Sequence, residues 1–189
     1  MITKFESLLP ANINDTIYDY LIHHYGWNII TDKHFSKFSE GTDSGMILSS
    51  MKGGVSTGKD FEKLNLYAEI ILDLVIKGSV VTKDFMVRNR FTNPVMKRCF
   101  WNYYHSNSCA EEHCDTTEKN HWSIVYYLND VEGAGTRIVD GETGEDILVP
   151  SVAGNAVLFP SSYIHTGTPP SGLNHRCCLN IIFEAESYV

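Results

Sequence analysis

From Val80 onward the chain changes character, and that change restricts its fold more than any other feature. Short apolar runs at 80–91, 97–104, 122–128, 135–139, 145–149, 155–159 and 177–183 are separated by turn signals such as Glu132-Gly133-Ala134-Gly135 and Asp140-Gly141-Glu142. Runs of this length, bounded by glycine and acidic turns, read as strands.

Before that point the period is helical. Residues 12–26 place Ile17, Tyr20, Leu21 and Tyr25 on one stripe, with Asn12 or Asn14 as cap and Gly26 as stop. Trp27-Asn28-Ile29-Ile30 reads as a short strand. A stronger helix, capped by Thr57 or Asp60 and stopped at Gly78, repeats Phe61, Leu64, Ala68, Ile71 and Val75. Leu66, Ile70, Leu72, Leu74 and Ile76 widen its apolar face, so it is expected to be largely buried. Helices followed by a run of strands predict an α+β fold. About eight strands around a ligand pocket make a double-stranded β-helix, the jelly-roll or cupin-like architecture. The length suits one domain over 1–189, with helical support over about 1–78 and a jelly-roll core over about 79–189.

Composition removes some function classes. The net charge of −8 disfavours a nonspecific nucleic-acid binder. No apolar run reaches the roughly 18 residues of a membrane span, and Met1–Glu6 lacks the apolar core of a signal peptide. The cysteines (99, 109, 114, 177 and 178) are odd in number and form no Cys-x-x-Cys. Reduced thiols and a cytoplasmic location are expected. Oligomeric state stays open.

His113-Cys114-Asp115 carries the chemistry. At the end of a β-strand His113 and Asp115 would share a face, with Cys114 pointing away. His165 follows the apolar run Ala156–Pro160. Two imidazoles and one carboxylate match the facial triad of non-haem Fe(II) oxygenases, which leaves metal positions open. A zinc site from Cys109, His113, Cys114 and His121 fits no regular ligand spacing. Arg176 opens the last apolar strand, where an inward guanidinium needs an anionic partner and suits a carboxylate.

With the tyrosines before His113, with Tyr126-Tyr127-Leu128-Asn129 and with Phe159-Pro160…His165-Thr166-Gly167, these residues form an ordered set from about Cys99 to Phe183. It resembles the 2-oxoglutarate and Fe(II)-dependent oxygenase superfamily, in its prolyl hydroxylase-like branch. The resemblance implies a jelly roll, with Fe(II) on His113, Asp115 and His165. It implies that Arg176 and Tyr127 hold the distal carboxylate of 2-oxoglutarate. A further tyrosine touches this co-substrate, either Tyr103 or Tyr104. Tyr104 is preferred because the turn-like His105-Ser106-Asn107-Ser108 follows it. The implied reaction uses O2, splits 2-oxoglutarate into succinate and CO2, and hydroxylates an aliphatic C–H of a prolyl or other peptide residue. Gly133-Ala134-Gly135 and His105–Ser108 depart from the family pattern and leave the substrate subclass open.

A free amino acid or other small molecule is an alternative substrate, and a non-catalytic cupin-like metal-binding module is an alternative function. The glycine-rich stretch 41–59, broken by a brief Met46–Leu48 strand, is expected to close over substrate together with residues 82–96.

Overall fold

The computed structural model describes residues 2–23, 28–29, 46–49, 59–77, 91–106 and 111–187. Most of the glycine-rich stretch and most of the 80–91 strand expectation lie outside them, as do Tyr25, Gly26, Gly78 and Cys109.

Among the described residues two helices and ten strands follow in order: β1 Thr3–Phe5, α1 Ala11–Ile22, β2 Asn28–Ile29, β3 Met46–Ser49, α2 Lys59–Lys77, β4 Phe91–His105, β5 His121–Tyr127, β6 Val131–Val139, β7 Asp146–Ser151, β8 Ala156–Pro160, β9 His165–Thr168 and β10 His175–Ser187. They form a seven-stranded sheet, β1-β8-β5-β10-β4-β3-β2, and a three-stranded sheet, β7-β6-β9. Every recorded strand pairing is antiparallel. This is the expected α+β double-stranded β-helix.

The large sheet has two buried faces. On one, Trp101, Ile124, Tyr126, Leu179, Ile181 and Phe183 pack with Ile17 and Leu21 of α1 and Leu64, Ala68, Ile71 and Val75 of α2. On the other, Val125, Tyr127, Val157, Phe159 and Cys178 cluster with Ile138 and Val149 of the small sheet. Period-two alternation sends neighbouring residues of one strand into different cores.

Local signals explain most departures from expectation. Pro10 caps α1, its carbonyl accepting from the N–H groups of Ile13 and Asn14. Neither Asn12 nor Asn14 caps. Asn14 points inward instead: its Nδ2 donates to Leu128 O at 2.8 Å and its Oδ1 accepts from Tyr126 Oη at 2.7 Å. In α2, Leu72 and Ile76 are buried but Leu66 and Ile70 are exposed, because they lie on the opposite side of the helix from the Leu64–Ala68–Ile71–Val75 stripe. β4 begins well before residue 97. Asn93 and Pro94 form a bulge opposite Ala185 of β10, a sheet setting that tolerates a missing N–H. The 132–135 segment is likewise a bulge inside β6 rather than a turn between strands. A Cβ on Gly135 would lie 2.2 Å from Val149 O, so no side chain fits there.

Candidate active site

The inner face of the large sheet and the small sheet enclose the site. His113 lies on no long strand. It makes an isolated antiparallel bridge with His165 of β9, exchanging N–H···O bonds of 3.0 and 2.8 Å. Asp115 N donates to Ser161 O at 2.9 Å, which keeps the segment extended and brings both side chains to one side. The ligand atoms of His113, Asp115 and His165 all lie within 4.8 Å of one another.

Hydrogen bonds set the tautomers. His113 Nδ1 lies 2.9 Å from Glu111 O, and His165 Nδ1 lies 3.0 Å from Tyr163 O. A carbonyl only accepts, so each Nδ1 carries the hydrogen and each Nε2 keeps its lone pair. Burial pushes the His165 pKa below the ordinary value and the neighbouring His113 adds to this, against the opposing pull of Asp115. His165 therefore stands ready as a neutral donor. The Asp115 carboxylate is held on both sides. Ser123 Oγ donates to Oδ2 at 2.6 Å, and Arg98 Nη2 reaches the Asp115 carbonyl at 3.1 Å and Oδ1 at 3.4 Å. Ser161 Oγ supports Ser123 at 2.8 Å. His113 and Arg98 are only half-buried, so this end is the accessible one.

The other end is closed. Arg176 on β10 is 1% exposed. Its Nη2 donates to Thr136 Oγ1 at 3.0 Å, while Nε and Nη1 have no hydrogen-bond partner among the described residues. Its guanidinium carbon stands 4.9 Å from the Tyr104 ring centre and 5.5 Å from that of Tyr127. Tyr127 Oη donates to the same Thr136 Oγ1 at 2.8 Å. Burial raises the phenol pKa of Tyr104 and of Tyr127 to about 12, so both remain neutral donors. A Cβ on Gly167 would sit 2.8 Å from Arg176 Nη1 and 3.2 Å from the Tyr104 hydroxyl, and its absence leaves the guanidinium room.

The six residues singled out in the sequence thus converge on one enclosure, with His113, Asp115 and His165 at one end and Arg176, Tyr127 and Tyr104 at the other. Tyr103 faces the opposite way and stacks on His175 at 5.0 Å. His121 stands apart beside Glu118. Cys114 is not in the three-residue cluster. Sequence reasoning passed over Thr136, which joins Tyr127 to Arg176, and it passed over Arg98 and Ser161. Ser123 was legible only as sharing Tyr127's face.

Residues 99–184 match the family model of the 2OG-Fe(II) oxygenase superfamily. That segment belongs to the 2OG-Fe(II) oxygenase superfamily. A match to this family supports a 2-oxoglutarate-dependent dioxygenase, with Fe(II), 2-oxoglutarate and O2 as reactive partners. No curated protein matches it. Among solved structures, a Pseudomonas putida prolyl-4-hydroxylase is 16% identical with a TM-score of 0.65, over 97% of this chain and 91% of that one. A Trichoplax adhaerens prolyl hydroxylase in complex with a hypoxia inducible factor peptide fragment is 12% identical with a TM-score of 0.67, over 97% and 83%. The epimerase SnoN in complex with Fe3+, alpha ketoglutarate and nogalamycin RO is 12% identical with a TM-score of 0.68, over 97% and 78%. At these identities the likeness is one of fold. Among the described residues no helix is long and apolar enough to cross a membrane.

Proposed function

We propose that His113, Asp115 and His165 hold the Fe(II) and that Arg176, Tyr127 and Tyr104 hold 2-oxoglutarate. On this reading residues 1–189 form a single domain whose helices brace the large sheet, and the oxygenase hydroxylates an aliphatic C–H of a prolyl or other peptide residue. The observation that carries the reading is Arg176. A fully buried guanidinium with two unpartnered nitrogens is costly unless an anion completes it. It stands in the same enclosure as two imidazole lone pairs and a carboxylate, a donor set that fits Fe(II) better than a thiolate-bound structural zinc.

When bound, the iron and co-substrate activate O2, with 2-oxoglutarate giving up two electrons as it becomes succinate and CO2. The chain's own residues do the rest. Glu111 O and Tyr163 O fix the imidazole tautomers, and Ser123 and Arg98 hold the carboxylate orientation. Arg176 supplies a desolvated, planar carboxylate receptor. Phe159 packs against the His165 ring at 4.8 Å and keeps water from that side. Peptide substrate is favoured by fold kinship with two prolyl hydroxylases, one of them in complex with a peptide fragment. Among the described residues Cys99, Cys114, Cys177 and Cys178 stand outside any disulfide, which supports a reducing, cytoplasmic setting.

The test is succinate release from 2-oxoglutarate by the Fe(II)-loaded protein, alone and with proline-containing peptides, free proline and other free amino acids. Turnover stimulated by peptide, with a mass gain of one oxygen on it, is expected. Stimulation by a free amino acid alone would move the substrate to the small-molecule class. No succinate under any condition would leave a metal-binding module without catalysis.

A further inference from the structure

The last residue of Tyr126-Tyr127-Leu128-Asn129 has no part in the assignments above, yet it grips the backbone from which Arg176 sets out. β10 begins at His175, directly after a turn in which Gly172 takes a φ of 66° and Leu173 is fully exposed. Arg176 is therefore the second residue of its strand, at the end where a ladder frays. On one side β4 still pairs with it, Arg176 lying opposite Tyr104. On the other side the β5 ladder stops at Tyr127, opposite Cys178. The Asn129 side chain takes over there. Its Nδ2 donates to His175 O at 2.8 Å, and its Oδ1 accepts from Cys177 N at 2.8 Å. A carboxamide carries a donor and an acceptor side by side, as a peptide unit does, so it continues the ladder past the end of the strand. The clasp is itself anchored. Leu128 N donates to Cys177 O at 3.0 Å, and Asn129 O accepts from Ser151 Oγ of β7 at 3.0 Å.

The two clasped groups, His175 O and Cys177 N, flank Arg176 on either side. The far end of the arginine is held at Nη2 by Thr136 Oγ1, while Nε and Nη1 have no partner. With so little gripping the guanidinium, its aim depends on its root. We infer that Asn129 is a positioning residue for 2-oxoglutarate binding: it holds the 175–177 backbone so that the Arg176 fork is aimed before the carboxylate arrives. This rests on the assignment of Arg176 to the distal carboxylate. The gain is preorganisation, because a planar fork matches a carboxylate only within narrow limits of distance and angle. A clasp that served the sheet end alone would add stability and leave affinity untouched, so the two roles separate by measurement.

The test is calorimetric binding of 2-oxoglutarate and of oxalate to Mn(II)-loaded protein, with the melting temperature of each variant. Oxalate presents two adjacent carboxylates to the metal and lacks the distal arm. Asn129→Ala is expected to weaken 2-oxoglutarate about tenfold and to leave oxalate and Mn(II) at wild type. Asn129→Asp keeps the acceptor for Cys177 N and loses the donor to His175 O. It is expected to show the same selective loss, and it carries the test if the alanine variant does not fold. Either variant combined with Arg176→Lys is expected to bind 2-oxoglutarate within about twofold of Arg176→Lys alone, because the fork that Asn129 aims is already gone. A lowered melting temperature with wild-type 2-oxoglutarate affinity would overturn the inference and leave Asn129 a structural clasp. Equal losses for both acids, or losses that multiply in the double variant, would overturn it as well. A wild type that binds 2-oxoglutarate no better than Arg176→Lys would overturn the assignment of Arg176, and this inference with it.

Discussion

Along β10, Leu179, Ile181 and Phe183 face the helices, and Arg176, Asn180 and Ile182 face the small sheet. The first set is fully buried among apolar side chains, where the Asn14 amide accepts from Tyr126 and donates to Leu128 O and the neutral indole N–H of Trp101 is left without a partner. The second set shares its face with Ser123 and Tyr127 of β5, and two of its polar groups, on Arg176 and Asn180, lack partners. One strand thus serves stability with one face and places an unpartnered charge on the other. A buried neutral N–H such as that of Trp101 costs little beside a buried guanidinium, so the unpartnered charge of Arg176 marks the functional face more sharply than burial does.

The largest expected effect is on the inner face. His165→Ala or Asp115→Ala should weaken Mn(II) binding by about a hundredfold or more and abolish turnover. The circular dichroism spectrum should be retained, because the backbone bridge between residues 113 and 165 does not need the rings. A His165→Ala protein with wild-type turnover would remove the triad.

Next is Arg176. Arg176→Lys keeps charge and loses the planar fork, so the 2-oxoglutarate dissociation constant should rise about tenfold to a hundredfold, the equivalent of roughly 1.5–3 kcal/mol. Unchanged affinity would show that the enclosure serves another ligand.

On the helix-side face the currency is stability. Asn14→Ala strands the Tyr126 hydroxyl and Leu128 O and should cost about 1–3 kcal/mol in urea unfolding. The 2-oxoglutarate affinity of the folded variant should stay at wild type. A large affinity loss would mean that the two faces are coupled through β5.

Smaller still, Tyr127→Phe removes one donor beside Arg176 and should weaken 2-oxoglutarate by about tenfold or less. The smallest expected effect is on pH dependence. Burial lowers the His165 pKa from 6.5 in the folded, metal-free protein. The unfolded chain therefore takes up a proton first as pH falls through about 6.5. Stability is unaffected above that pH and declines below it, levelling off once the folded pKa is passed. Burial shifts His175 in the same direction and adds to the decline. A melting temperature that fell no less between pH 7.5 and 5.5 in His165→Gln than in the wild type would sink this account.

The sequence by itself determined the elements and the chemistry. Period two after residue 80 and period 3.6 before it depend on side-chain geometry within a few residues, so strands β5, β7 and β8 and helix α2 were legible nearly to their ends, whereas α1 stops at Ile22, short of the expected Gly26. His-x-Asp was legible for the same reason, since one extended segment aims both groups. Bulges at Asn93-Pro94 and 132–135, the inward turn of Asn14 and the short strand under His165 were decided by tertiary structure, because each depends on a partner far along the chain. So was the closed end of the site. Thr136, Gly167 and Arg176 come from three strands, β6, β9 and β10, and a threonine or a glycine carries no local signal that it stands beside a buried guanidinium. Only the packing of one sheet over the other brings them together.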